Sequence, residues 1–490
     1  MRAIMIMFDS LNRRFLEPYG ARETITPHFK RLAEKSICFD NCYAGSLPCI
    51  PARRELHTGR YNFFHRSWGP LEPFDDSAFR ILKENGIYTH LVSDHGHYWE
   101  CGGATYHTQY TTWEGIRGQE GDPWAAVVGG CEDEEPNFVP FTEGLREGLY
   151  RQNLVNRKRI KEKRDFPLIK TFEAGIDFLE KNGDRDYWFL QIESFSPHEP
   201  FMSSKEYKNL YPSREKGKKY EWPDYSPIKE SKEEIDEVRY AYFSALSMCD
   251  EQLGRILDIM DKKDMWKDTM LIVNTDHGFM LGEHGYWAKN YMPCYDEIVH
   301  IPLFIWNPFL SDKKNVRRKS LVQTIDLPVT ILRFFGIEPT PDMQGKDLIK
   351  VMETDEPVRE WGLFGLFGAH VCCTNGRYVY MRAPRNFDTS LFEYTLMPTH
   401  MMSFFDFEEL QTGTWNKGFK FTKGIPVMKI QTNNQMRCIE NRDLLFDLKI
   451  DSEEKLEIND KDIIKNIKQK LKELMLETEA PEELYQRFEL

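Results

Sequence analysis

The chain has 490 residues, long enough for a large core and more than one folding unit. Hydrophobic residues make up 41% and charged residues 29%, which excludes a disordered chain. The net charge of −13 argues against nucleic acid and anionic lipid as partners. No apolar run nears the roughly 18 residues of a bilayer span, so no membrane partner is expected.

Ala3–Phe8 reads as a fully buried strand. It is shorter than the ~7–15 apolar residues of a signal core, so a cytoplasmic location is expected. Thr26-Pro27 opens a helix with Phe29, Leu32 and Ala33 on one face. Thr89–Val92 is a second strand, Pro167–Asn182 a helix stopped by Gly183, and Tyr187–Ile192 a third strand. Ser231–Glu234 has the spacing of a capping box and starts a helix to about Met260. Leu271–Val273 and Pro302–Trp306 are further strands, and Pro328–Phe335 is a helix. Strands alternating with helices predict an α/β fold with a large, mostly parallel sheet sandwiched by helices.

The texture changes near residue 355. Cys372–Arg382 and Leu391–Leu396 read as antiparallel strands, Met401–Lys429 as irregular, and Asp462–Leu476 as a helix buried through Ile463, Ile467, Leu471 and Leu474. The expected division is a catalytic domain over 1–355 and a smaller α+β domain over 356–490. The charged stretch Arg157–Lys163 reads as a solvated face. The ten cysteines (Cys38, Cys42, Cys49, Cys101, Cys131, Cys249, Cys294, Cys372, Cys373 and Cys438) form no CxxC pair. That argues against a disulfide framework or a structural zinc site.

Chemistry-bearing residues fall just past strand ends, where open α/β sheets bind ligands. Asp9 ends the first strand, His198 follows the third, and Asp276-His277 follow the fourth. Carboxylate and imidazole from separate strand ends could share a divalent cation. Cys49-Ile50-Pro51-Ala52-Arg53 runs to Thr58-Gly59-Arg60. Pro51 fits a first helical turn and Gly59 a helix end, which puts Cys49 at a positive N-terminus. Helical spacing puts Arg53, His57 and Arg60 on roughly one face with Cys49, an arrangement suited to sulfate or phosphate.

Cys49-x-Pro51-x-Arg53 with Thr58-Gly59 resembles the signature of the sulfatase family, in the alkaline phosphatase superfamily. A second block, Thr275-Asp276-His277-Gly278 through Leu281-Gly282-Glu283-His284-Gly285 to Lys289, is similar to that family's second motif. Weaker matches are Pro197-His198-x-Pro200, Asp326-Leu327-Pro328 and Leu445-Phe446-Asp447-Leu448. The resemblance covers residues 1 to about 455. It implies an alkaline phosphatase-like fold and a sulfuric ester hydrolase. It further implies that a maturation enzyme oxidises Cys49 to formylglycine. It implies Asp9, Asp276, His277 and the modified Cys49 as ligands of one divalent metal, calcium first, with manganese or magnesium as alternatives. Arg53, Lys289 and His198 are implied as catalytic residues.

Two departures stand out. Ser10 follows Asp9 where many sulfatases carry a second acid, a feature shared with phosphonate monoester and phosphodiester hydrolases of the same family. Ser93-Asp94-His95-Gly96-His97 replaces the usual Gly-Lys-Trp-His segment, which makes His95 and His97 candidates for ligand contact. Tyr98–Trp124 is expected to line the cleft, with Trp99, Tyr106, Trp113 and Trp124 able to stack on sugar rings. Asn62 and His65-Arg66 are further pocket candidates. The expected substrate is a small sulfated carbohydrate; the partner expected besides it is the maturation enzyme, and a homo-oligomer is compatible with the sequence.

Overall fold

The computed structural model describes residues 1–129, 145–213, 220–432 and 440–490. Its centre is a nine-stranded sheet. In spatial order the strands are Val316–Arg318, Ile37–Tyr43, His300–Trp306, Thr269–Thr275, Arg2–Phe8, Trp188–Ser194, Tyr88–Ser93 and Thr112–Gly115, with Val322–Gln323 also paired to Ile37–Tyr43. Alternation along Arg2–Phe8 builds both sides of the core. Ala3, Met5 and Met7 enter one apolar cluster, and Ile4, Ile6 and Phe8 enter the other. Helices Pro167–Asn182 and Lys232–Lys262 pack on the second face, and Ser231 with Glu234 forms the expected capping box.

The sheet is mostly parallel, as expected, with one reversal. His300–Trp306 runs antiparallel to both its neighbours. The link from Thr275 to His300 carries only one-turn helices and a two-stranded ribbon. Without a full crossover helix, the chain returns in the opposite direction.

A five-stranded sheet lies beside the main one, ordered Leu444–Asp447, Tyr378–Arg382, Val371–Thr374, Gly362–Leu366 and Ser46–Leu47. The expected strand over Cys372–Arg382 is therefore a hairpin, turning at Gly376 with φ 80°. The expected irregular stretch Met401–Lys429 holds helix Phe407–Gln411 and strand Thr414–Asn416, and strand Val427–Gln431 begins at its end. These elements are short and largely exposed, so apolar periodicity gave no signal. The last long helix, Lys461–Glu477, buries Ile467, Leu471 and Met475. Ser46–Leu47 pairs in parallel with Gly365–Leu366 and leads directly into helix Cys49–Thr58. No disulfide joins the described cysteines, and Cys131 and Cys438 lie outside the described residues. Among the described residues no helix is long and apolar enough to cross a membrane.

Candidate active site

Register builds the site. Phe8 stands level with Thr275 on one side and Ser194 on the other. Asp9, Asp276 and Phe195 therefore leave the sheet together at one edge. Helix Cys49–Thr58 brings Cys49 and Arg53 across that edge, and Gly59 closes it in the left-handed region at φ 59°. Gly278 follows His277 because nothing larger fits: a Cβ there would lie 1.9 Å from the Glu297 carbonyl.

The result is one buried cluster. Ligand atoms of Asp9, Cys49, Asp276 and His277 all lie within 4.8 Å of one another. Cys49 Sγ is 3.1 Å from His277 Nε2 and 3.9 Å from Asp9 Oδ1. His277 Nδ1–H donates to the Gly278 carbonyl at 2.8 Å, which leaves the Nε2 lone pair facing the cluster. Arg53 donates to Asp276 at 2.6 Å, Glu193 at 2.7 Å and Asp9 at 2.9 Å, and to the Cys49 carbonyl at 3.0 Å. Lys289 Nζ reaches Ser10 Oγ at 3.1 Å, Glu199 at 3.7 Å and Asp9 at 4.0 Å.

The electrostatics follow from burial and charge. Burial pushes Asp9 up, but Arg53 and then Lys289 hold its carboxyl well below the usual range. Burial, with Asp9 beside it, drives the Cys49 thiol far above its ordinary value. Burial depresses His95 and His198, helped by Arg53 and Lys289 respectively. Ser10 at φ 61° and Ala288 at φ 75° flank Asp9 and Lys289 in a region costly for L-residues, and such residues gather at functional sites.

A cavity of about 270 Å³ opens over the cluster, lined among others by Cys49, His198, Lys289, His97 and Trp99. His198 Nδ1–H donates to the Glu199 carbonyl at 2.5 Å. His95 is buried with Nε2 3.7 Å from Asp9, and His97 lines the cavity wall. Asp94 accepts from Phe195 N at 2.6 Å and Gln119 Nε2 at 2.7 Å, which joins three loops around the opening.

Asn62 and Trp113 do not line this cavity. Asn62 spends its amide on the Pro51 carbonyl at 2.9 Å, beneath the helix. Trp113 is half exposed and packs on Trp99 and His107. His57 and Arg60 also turn away, to Ser77 at 2.8 Å and Asp75 at 3.0 Å. Each four-residue step rotates about 40° around a helix, and Gly59 then redirects the chain. His65 contacts the Glu479 carbonyl at 2.8 Å, Arg66 pairs with Glu72 and Glu393, and Tyr106 donates to the Gly69 carbonyl. Trp124 packs under Arg159.

Sequence reasoning missed Glu193, Glu199, Glu120 and Tyr225. Glu193 had a readable signal: a carboxylate in a largely apolar strand that is buried along its length.

The fold is an α/β sheet that carries a buried two-carboxylate, imidazole and thiol cluster at its strand ends. The family comparison is more specific. The Sulfatase family model matches residues 2–337, and the chain belongs to the sulfatase family. Human iduronate 2-sulfatase is 26% identical over 345 residues, which are 63% of this chain and 60% of that protein. Choline-sulfatase of Rhizobium meliloti is 24% identical over 410 residues, 77% of each chain. The fold matches the phosphonate monoester hydrolase of Agrobacterium radiobacter with a TM-score of 0.66 at 17% identity, covering 98% of this chain and 95% of the other. It also matches a structure solved with its substrate D-glucosamine-2-N,6-O-disulfate, with a TM-score of 0.66 at 16% identity, covering 100% and 98%.

Proposed function

We propose that the protein hydrolyses a small sulfate ester, a sulfated carbohydrate first, to the alcohol and inorganic sulfate. The observation that carries this is the convergence of Asp9, Cys49, Asp276 and His277 within 4.8 Å. The donor set fits a divalent cation: two carboxylates, one imidazole with its tautomer fixed, and residue 49. Calcium is the first candidate, with manganese and magnesium as alternatives. Such a cation, when bound, would lower the pKa of the attacking hydroxyl and neutralise sulfate oxygens.

Cys49 is the modification target, and a formylglycine-generating maturation enzyme is the partner this requires. Formylglycine, once formed and hydrated by water, would supply two hydroxyls, one able to act as nucleophile and one able to release sulfate and restore the aldehyde. Arg53 holds the carboxylates of Asp9, Asp276 and Glu193 in place. Lys289 binds a sulfate oxygen from the cavity side. Lys289, a cation, and His198, whose Nδ1 is committed to a carbonyl and whose Nε2 is left as an acceptor, together assist the leaving oxygen. His95, next to Asp9, takes the proton-acceptor role that the missing lysine segment leaves open. A cytoplasmic location fits imported small substrates better than polymers.

A second reading is favoured by Ser10. It stands where many sulfatases carry a second acid, and it hydrogen-bonds Lys289. On this reading the same nucleophile cleaves a phosphonate monoester or phosphodiester. Protein matured in its native host should be assayed on an aryl sulfate, an aryl phosphonate monoester and an aryl phosphodiester. The sulfate should be cleaved with the highest kcat/KM; a clear phosphonate preference would reverse the order.

A further inference from the structure

Among the described residues, one acid on the cavity wall has no ion pair and no side-chain hydrogen bond to its carboxylate. The charged side chains that line it are largely committed. Lys289 faces Ser10, Asp9 and Glu199. His97 Nδ1 is 2.8 Å from Glu100, and Asp122 pairs with Arg117 at 2.5 Å. Glu120 lines the same cavity, yet no ion pair or side-chain hydrogen bond reaches its carboxylate among the described residues. That carboxylate lies within electrostatic reach of His97, Glu199, Lys289 and Glu100, and of Tyr225. Burial pushes it up to about 7.

Around it the wall is aromatic. Trp68, Trp99, Phe195 and Tyr225 line the cavity with Met402. Aromatic faces and a partly buried carboxylate together attract an organic cation. At the base, Lys289 and His198 face the position of the sulfate. The cavity thus presents the Lys289 ammonium at its floor and an acidic, aromatic wall, within about 270 Å³.

We infer that the preferred substrate is a sulfate ester whose alcohol carries an ammonium group, and that Glu120 binds this cation. The inference rests on the proposed ester hydrolysis and narrows its substrate class. Quaternary ammonium alcohols and amino sugars share the required chemistry. A neutral sugar, whose hydroxyl would donate to Glu120, is the competing occupant.

The test measures kcat/KM for matched ester pairs: choline sulfate against 3,3-dimethylbutyl sulfate, and glucosamine 6-sulfate against glucose 6-sulfate. At least one pair should favour the cation by ~10- to 100-fold, and Glu120→Gln should collapse that ratio to near one. Glu120→Asp, which keeps the charge, should retain part of it. The pair that shows the preference identifies the quaternary or the primary amine. A ratio near one in the parent protein, or one unchanged in Glu120→Gln, would overturn the assignment. Calorimetry with choline and glucosamine, against 3,3-dimethylbutanol and glucose, gives a readout independent of turnover. If no ester releases sulfate, the hydrolase reading fails. Cation binding that Glu120→Gln removes would still support the site, and absent or unchanged binding would sink it.

Discussion

Arg53 and Arg54 are neighbours on one helix and sit in opposite kinds of environment. Arg53 is a single guanidinium among three buried carboxylates, Asp9, Asp276 and Glu193. Arg54 shares one carboxylate, Asp75, with a second guanidinium, Arg60. Asp75 accepts from Nε and Nη2 of Arg54, at 2.7 and 3.1 Å, and Arg60 also lies 3.6 Å over the Phe421 ring. Both clusters are buried. The first has acid in excess and the Cys49 thiol at its centre; the second has its acid fully met by cations. Burying unmatched carboxylate is costly, so the first cluster makes physical sense as a place completed by a cation. The second makes sense as a clamp between the helix and the loop before Ala78.

Substitutions should separate the two. Cys49→Ala should remove turnover by ~10⁴-fold or more and leave folding nearly intact, read by sulfate release and thermal melting. Arg53→Ala should lower kcat by about 10²–10³-fold. Arg54→Ala should instead destabilise the fold by about 3–5 kcal/mol in denaturant titration, with turnover per folded molecule close to that of the parent. A catalytic defect in the second variant as deep as in the first would erase the distinction.

Metal removal sharpens it. At one hundred times its Kd, a divalent cation adds ~2.7 kcal/mol to stability. Chelation should therefore lower the melting temperature and stop turnover. Asp9→Asn should lose the metal-induced shift in melting, and Arg54→Ala should keep it.

The smallest effect concerns Glu55, on the same helix. It accepts from Ser46 N at 2.6 Å and Thr324 Oγ1 at 2.8 Å, and burial pushes it from 4.5 up to about 7. A carboxyl raised in the folded state favours folding while protonated. Its contribution is full below about 4.5 and declines as pH rises towards 7. Glu55→Gln should flatten that part of the profile in thermal melts between pH 4 and 8.

What the sequence made legible were residues fixed by chain-local rules. Asp9, His198, Asp276 and His277 follow strand ends, and Cys49 and Arg53 sit one turn apart at a helix start. Parallel register then does the rest, because strands in step deliver their end residues to one place. The second shared side of the site was harder to see. Glu193 reaches Arg53 across the sheet, and Glu120 and Tyr225 reach the cavity from loops with no periodicity. Asn62 and Trp113 show the converse: proximity in sequence to a signature helix or a cleft loop does not set side-chain direction. The reversal at His300–Trp306 was invisible because apolar content marks a strand without giving its direction.

The most direct test counts metal and turnover on the same samples. Protein matured in its native host should carry one divalent ion per chain by elemental analysis and release sulfate. Asp276→Asn should lose both while keeping its fold. A parent protein free of metal at full activity, or an Asp276→Asn variant that keeps its ion and its rate, would contradict the account.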